Sequence, residues 1–79
     1  MSAVLPIPRE AYMADELTVT QVAILQWIAN GKDNVEIALL MNIERPILVQ
    51  RQVQKVMDLS GTATRSGAVA WALRKGLIK

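Results

Sequence analysis

The stretch "NIERPILVQRQVQKVMDL", Asn42 to Leu59, decides the fold because it contains a turn followed by an amphipathic helix. Asn42 suits the left-handed end of a preceding helix, and Pro46 suits the first position of a new one, where no amide donor is needed. Apolar residues then recur at helical spacing and predict a buried stripe, which consists of Val49, Val53, Val56 and Met57. The polar residues between them predict an exposed face.

Two helices with capping boxes are predicted before this stretch. "LTVTQVAILQWIANG" begins with Thr18 as N-cap and Gln21 three residues later, and its apolar residues recur at helical spacing. "KDNVEIALLMN" repeats the pattern with Asp33 and Glu36 and ends at Asn42. The second and third helices are therefore joined by a short turn, which is a helix-turn-helix arrangement.

A fourth helix, "RSGAVAWALRKG", is predicted after the loop "SGTAT", with Gly76 as its stop. Its apolar residues include Ala68, Val69, Ala72 and Leu73, of which Val69 and Leu73 are expected to point inward, away from Trp71. The prediction is thus one all-α domain of four helices over residues 17–79. It follows a leader over residues 1–16, where the prolines of "LPIPRE" interrupt any periodic pattern.

Length and composition narrow the class of function. A domain of 79 residues buries only about 60% of the surface of its unfolded chain, so its core must be efficient or shared through self-association. The chain has no cysteine and no histidine, which removes disulfides, thiolate nucleophiles, structural zinc and the usual general base. We therefore expect neither an enzyme nor a metal or cofactor site.

Charge and hydropathy bear on partners and location. A net charge of +2 with a pI near 9.4 is compatible with binding a polyanion, but it is less basic than a pure phosphate binder. The start "MSAVLPIPRE" has no basic segment leading into an apolar run, and no apolar run is long enough for a membrane span. We therefore expect a cytoplasmic protein without membrane contact.

Several short motifs resemble those of the LuxR-type (GerE-type) helix-turn-helix domain. They are "LT" before the first helix, "ILQWIANGK" at its end, "EIA" in the second helix, "NI" before the turn and "RSGAVAWALRKGLI" at the end. The resemblance covers roughly Leu17 to Ile78, and "WIANGK" and "ALRKGLI" are most similar to the quorum-sensing branch. It implies a winged-helix-like fold without a wing, in a bacterial protein.

The resemblance also implies a function. It implies that the third helix docks in the major groove of double-stranded DNA and that the last helix forms a homodimer. Regulators of that family usually have an N-terminal domain that senses an acyl-homoserine lactone or accepts a phosphoryl group. The leader is too short for such a domain, so we expect a free-standing effector domain with no small-molecule ligand.

The chain departs from the family pattern near the turn, where the family reads Ile-Ser-Pro-x-Thr-Val-Lys-x-His-Val in outline. Here "IERPILVQRQV" has one extra residue, with Arg45 at the usual serine cap, Leu48 at the threonine and Gln50 at the lysine. Gln52 stands at the usual histidine, and Val35 in the second helix at a place often held by lysine. Several donors that would face phosphate are therefore absent.

Candidate DNA contacts nevertheless remain on the third helix and beside it. Arginine can bind guanine, glutamine adenine, and lysine a phosphate. On the third helix the candidates are Gln50, Arg51, Gln54 and Lys55, with Arg45 in the turn before it. Lys32 and Arg65 match places where relatives contact backbone phosphate. The alternative is an ordinary solvated helix face, which has the same polarity.

Candidate contacts with another protein lie on the second, third and fourth helices. Val35 and Leu39 form an apolar i, i+4 pair that Ile47 and Leu48 extend. On the fourth helix, Trp71 lies among Ala68, Ala72 and Lys75, and it suits a dimer surface and the core equally well.

Two functions remain open. One is a transcriptional regulator that binds duplex DNA as a homodimer. The other is an antiactivator or adaptor that has lost most DNA contacts and binds another, full-length LuxR-type regulator.

Overall fold

A computed structural model describes residues 17–79, and all regular structure in that range is helical. The helices are α1, Val19–Ala29; α2, Asn34–Leu40; α3, Pro46–Ser60; and α4, Arg65–Arg74. The prediction of an all-α domain with four helices is confirmed for this part of the chain. The predicted leader, residues 1–16, lies outside the described residues. No helix in the described range is long and apolar enough to cross a membrane.

Both predicted capping boxes are present. At the start of α1 the Gln21 amide donates to Thr18 Oγ1 (3.0 Å), and the Thr18 amide donates to Gln21 Oε1 (3.0 Å). At the start of α2 the Glu36 amide and Asp33 Oδ1 form the equivalent bond (2.9 Å), and the Asp33 amide donates to Glu36 Oε1 (2.9 Å). Each cap satisfies amides that the helix itself leaves unpaired and contributes about 1 kcal/mol.

The turn between α2 and α3 follows the prediction. Asn42 has a φ of 56°, in the left-handed region that Asn tolerates, and the next amide, of Ile43, donates back to the Ala38 carbonyl (2.8 Å). Pro46 is the first residue of α3. Arg45 precedes it as N-cap, and its side chain makes no capping hydrogen bond, so α3 begins without the cap that α1 and α2 have.

The core consists of two clusters of buried side chains. The first, between α1, α2 and α3, contains Ile24, Ile37, Ala38, Val49 and Val53. The second, between α1, α3, α4 and the C-terminal residues, contains Leu25, Val56, Ala68, Ala72 and Ile78. Ile28 and Met57 are half-buried and pack against both clusters. The single α3 stripe predicted from the sequence is therefore shared by both halves of the core.

The fourth helix differs from the prediction at Leu73. Ala68 and Ala72 are fully buried, and Val69 is half-buried, but Leu73 is 47% exposed. On a helix Leu73 lies about 120° from the direction midway between the two alanines. The prediction that it points inward is wrong, because the small alanines form the contact face and Leu73 lies beyond its edge.

Two side-chain amides join distant parts of the chain. Gln21, only 9% exposed, donates from Nε2 to Gln52 Oε1 (3.0 Å) and so links α1 to α3. Gln26 Nε2 donates to the Lys79 carbonyl (2.7 Å), and the Lys79 amide donates to Gln26 Oε1 (2.9 Å). This paired contact holds the C-terminal residues against α1, where Ile78 enters the core.

Candidate functional site

A solvent-open groove of about 570 Å³ lies where the end of α1 and the start of α2 meet the start of α4. Its lining residues are Ile28, Gly31, Lys32, Asp33, Asn34, Val35 and Arg65. Two of the predicted phosphate-binding cations, Lys32 and Arg65, therefore share one groove although 33 positions separate them in the sequence. Val35, an apolar side chain that is 56% exposed, lines the same groove.

Gln50 connects α3 to this groove. Its Oε1 accepts one hydrogen bond from Asn34 Nδ2 (3.3 Å) and a second from Arg65 Nη1 (3.1 Å). The predicted role of Gln50 in base contact requires a side chain that points fully outward. Its side chain is instead half-buried. Gln50 thus lies at the meeting point of α2, α3 and α4.

The next residues of α3 do face solvent. Arg51, Gln54 and Lys55 are all exposed, as the sequence predicted. Arg51 and Lys55 are four residues apart, so their positive charges lie on one side of the helix. Gln54 Nε2 donates to Asp58 Oδ1 (3.1 Å), one turn further along. Arg45, in the turn before the helix, is exposed as well.

Large apolar side chains on α2 and α3 are exposed as well. Val35 is 56% exposed, Leu39 78%, Leu40 53% and Ile47 50%. We call these four residues the apolar surface. Leu48, which was predicted to extend this surface, is half-buried and offers less area to a partner. Leu40 was missed, because the sequence does not show that α2 leaves both leucines of "ALLMN" exposed.

The structure corrects the predicted partner surface on α4. Ala68 and Ala72 belong to the second core cluster with no exposed area, so neither can contact another molecule in this fold. Trp71 is half-buried and packs on that cluster, and Lys75 Nζ lies 5.6 Å from the centre of its ring. A cation at that distance interacts favourably with the ring face. Trp71 therefore contributes to the core and still has an exposed part.

Asn34 is a further residue of the site that sequence reasoning missed. Asn34 follows the N-cap Asp33, and its role depends on Gln50, sixteen positions away. Its Oδ1 is buried and has no hydrogen-bond partner among the described residues, while its Nδ2 donates to Gln50. The sequence shows only that Asn34 is a polar residue at the start of a helix. Such residues usually form hydrogen bonds with the backbone of their own helix.

The described residues offer no metal site, since no three acidic, histidine or cysteine side chains are grouped to hold an ion. Comparisons of the chain with protein-family models, curated proteins and solved structures gave no match. The function must therefore be inferred from the groove, the exposed face of α3 and the apolar surface.

Proposed function

We propose that this protein is a DNA-binding transcriptional regulator that uses a LuxR-type helix-turn-helix. The main support is the arrangement of cations around α3. Arg51 and Lys55 are exposed on its outward face, and Lys32 and Arg65 lie together in the groove linked to α3 by Gln50. A duplex that meets α3 would thus find cations both on the helix and beside it.

The roles of these residues follow from their chemistry. Arg51 has the two-pronged donor geometry that fits the O6 and N7 atoms of guanine in the major groove, and Lys55 would contact phosphate. Lys32 and Arg65, outside α3, would contact the backbone and fix the orientation of α3 without selecting a sequence. Gln54 is the remaining base-contact candidate, and its amide would have to exchange Asp58 for a base.

A homodimer on a two-fold DNA site is part of this proposal. With Ala68 and Ala72 in the core, α4 can offer the exposed parts of Trp71 and Lys75, which are four residues apart and lie on one side of the helix. The exposed part of a tryptophan suits a symmetric contact between two copies of one helix. A wild-type protein that sediments as a monomer at the highest soluble concentration would contradict the dimer.

The second candidate function is an antiactivator or adaptor that binds a full-length LuxR-type regulator. The observation that favours it is the apolar surface, in which Val35 lies in the same groove as Lys32 and Arg65. An apolar side chain in the same groove as two cations contributes nothing to phosphate contact. Covered by a protein, each of the four side chains would contribute a part of the about 1.5–3 kcal/mol that full burial of an exposed side chain gives, since folding already buries some of its area.

A titration of isotope-labelled protein with a random-sequence duplex separates the two candidates. At low salt the backbone amides of Lys32, Arg51, Lys55 and Arg65 should shift, and raising the salt should reverse the shifts, because phosphate binding releases counterions. The backbone amide of Leu25, which is buried in α1, provides an internal reference for shifts that come from salt alone. Unchanged amides at low salt would exclude DNA binding and favour the adaptor.

A further inference from the structure

We propose that Gln50 is a positioning residue that holds the Arg65 guanidinium at the groove, and that it does not contact a base. The inference rests on the proposed function, because it concerns how the domain binds phosphate. It assigns different roles to Gln50 and to its neighbour Arg51, although sequence position places both on the outward half of α3.

The first support is that the acceptor of Gln50 is fully occupied. A glutamine that recognises adenine accepts a bond at Oε1 and donates one from Nε2 at the same time. A carbonyl oxygen has two lone pairs, and Gln50 Oε1 already accepts from Asn34 Nδ2 and Arg65 Nη1. Contact with adenine would break at least one of these bonds, and loss of the first would leave Asn34, whose Oδ1 already has no partner among residues 17–79, without any side-chain hydrogen bond.

The second support is the position of Arg65. It is the first residue of α4, and its side chain extends back to α3 to reach Gln50 at 3.1 Å. That bond uses one of five guanidinium donors and leaves the others available for a phosphate. The same bond restricts a long side chain that otherwise loses rotamer freedom when it binds, which is an entropic cost of association.

The third support is geometric coupling. The Gln50 side chain contacts residues of α2 and α4 at once, so the groove with Lys32 and Arg65 keeps a fixed relation to the helix that enters DNA. A phosphate bound by the groove therefore sets the register in which Arg51 meets the base edges. The LuxR-type pattern has a lysine at this position, which carries its own charge. Gln50 has no charge and instead holds the charged guanidinium of Arg65 in place.

The test compares Gln50→Met with Gln54→Met in binding to a random-sequence duplex pool, across a range of salt concentrations, with sequencing of the bound fraction. Gln50→Met keeps side-chain length and removes the acceptor. Gln54→Met is the matched control, because Gln54 is on the same helix and bonds Asp58 rather than Arg65. Both substitutions are repeated in an Arg65→Met background.

We expect Gln50→Met to weaken binding about three- to tenfold and to lower the salt slope by up to about one, as for loss of one phosphate contact. The base composition of the bound fraction should not change. In the Arg65→Met background Gln50→Met should have no further effect, which a purely structural role would not produce. Gln54→Met should leave the salt slope unchanged, and any effect it has should be on base composition, because Gln54 is a candidate for base contact and not for phosphate contact. If Gln50→Met does not fold, Gln50→Asn keeps the amide, is one methylene too short, and should give the same losses.

Two results would overturn the inference while leaving DNA binding intact. One is a Gln50→Met protein with an altered base composition and an unchanged salt slope. The other is an equal loss with and without Arg65. If the wild-type protein shows no salt-dependent binding to the pool, the proposed function fails, and the role of Gln50 fails with it.

Discussion

At the scale of single residues, neighbours on one helix face have different environments. Gln50 is half-buried and bonds Asn34 and Arg65, whereas Arg51, about 100° further round the helix, is exposed. Helical periodicity in the sequence was enough to predict that both residues lie on the outward half of α3. It could not predict the bonds of Gln50, because they depend on how α2 and α4 pack on α3.

Arg51 and Lys55 should respond differently to removal. Arg51→Ala should weaken a preferred DNA site by about 1–3 kcal/mol and relax its base preference, because a two-pronged guanine contact is lost. Lys55→Ala should weaken all sequences to a similar degree and lower the salt slope by roughly one. Affinity measured against duplexes of different sequence and at several salt concentrations distinguishes the two effects. If neither substitution changes DNA binding, α3 is not part of the interface with DNA.

At the scale of elements, most of what the sequence predicted depends on contacts within a few residues. The caps at Thr18 and Asp33, the left-handed Asn42 and the first-turn Pro46 are local features, and all four are present. The prediction for Leu73 was wrong because its burial depends on how α4 approaches the rest of the core. The sequence pattern of α4 alone does not determine that approach.

The missing cap of α3 gives a prediction about stability. Arg45 has φ −143° and ψ 144°, close to the φ −139° and ψ 160° of Thr64, whose side chain accepts a bond from the Gly67 amide (2.8 Å). A hydroxyl at residue 45 is therefore in a conformation that can cap α3. Arg45→Ser should raise the free energy of unfolding by about 0.5–2 kcal/mol in urea denaturation.

The matched control for this cap is Glu44→Ser, which introduces the same side chain one residue earlier in the exposed turn. It should change the free energy of unfolding by less than about 0.5 kcal/mol. Equal stability of the two variants would show that no capping bond forms at residue 45. In the DNA-binding assay Arg45→Ser should weaken binding, since it removes a cation next to α3, so the gain in stability and the loss in affinity are separable.

At the scale of the whole molecule, packing decides which surfaces remain for partners. Helix α3 serves both core clusters, and α4 uses its alanines to pack closely, so the surface is left with the outward side of α3, the groove and the apolar surface. The helix count and the core stripe of α3 were predictable from periodicity. The groove was not, because it forms only when the residues before α2 meet the start of α4.

The groove and the apolar surface meet at Val35, and this residue allows the two candidate functions to be tested in one variant. Val35→Lys places a third cation beside Lys32 and Arg65, and Leu39→Gln removes the most exposed leucine. If the apolar surface binds a protein, this double variant should lose affinity for a full-length LuxR-type regulator, because about 1.5–3 kcal/mol per fully buried side chain is removed. It should also bind duplex DNA more tightly, with a salt slope greater by about one.

The control is the double variant Val19→Lys with Leu59→Gln, which makes the same chemical changes at apolar residues that are 87% and 49% exposed but do not line the groove. This control has the same net charge as the test variant, so a general electrostatic gain in DNA affinity appears in both. Only the test variant should show the larger salt slope and the loss of affinity for the regulator. Equal behaviour of the two variants towards DNA and towards the regulator would show that the apolar surface has no partner and that Val35 does not face phosphate.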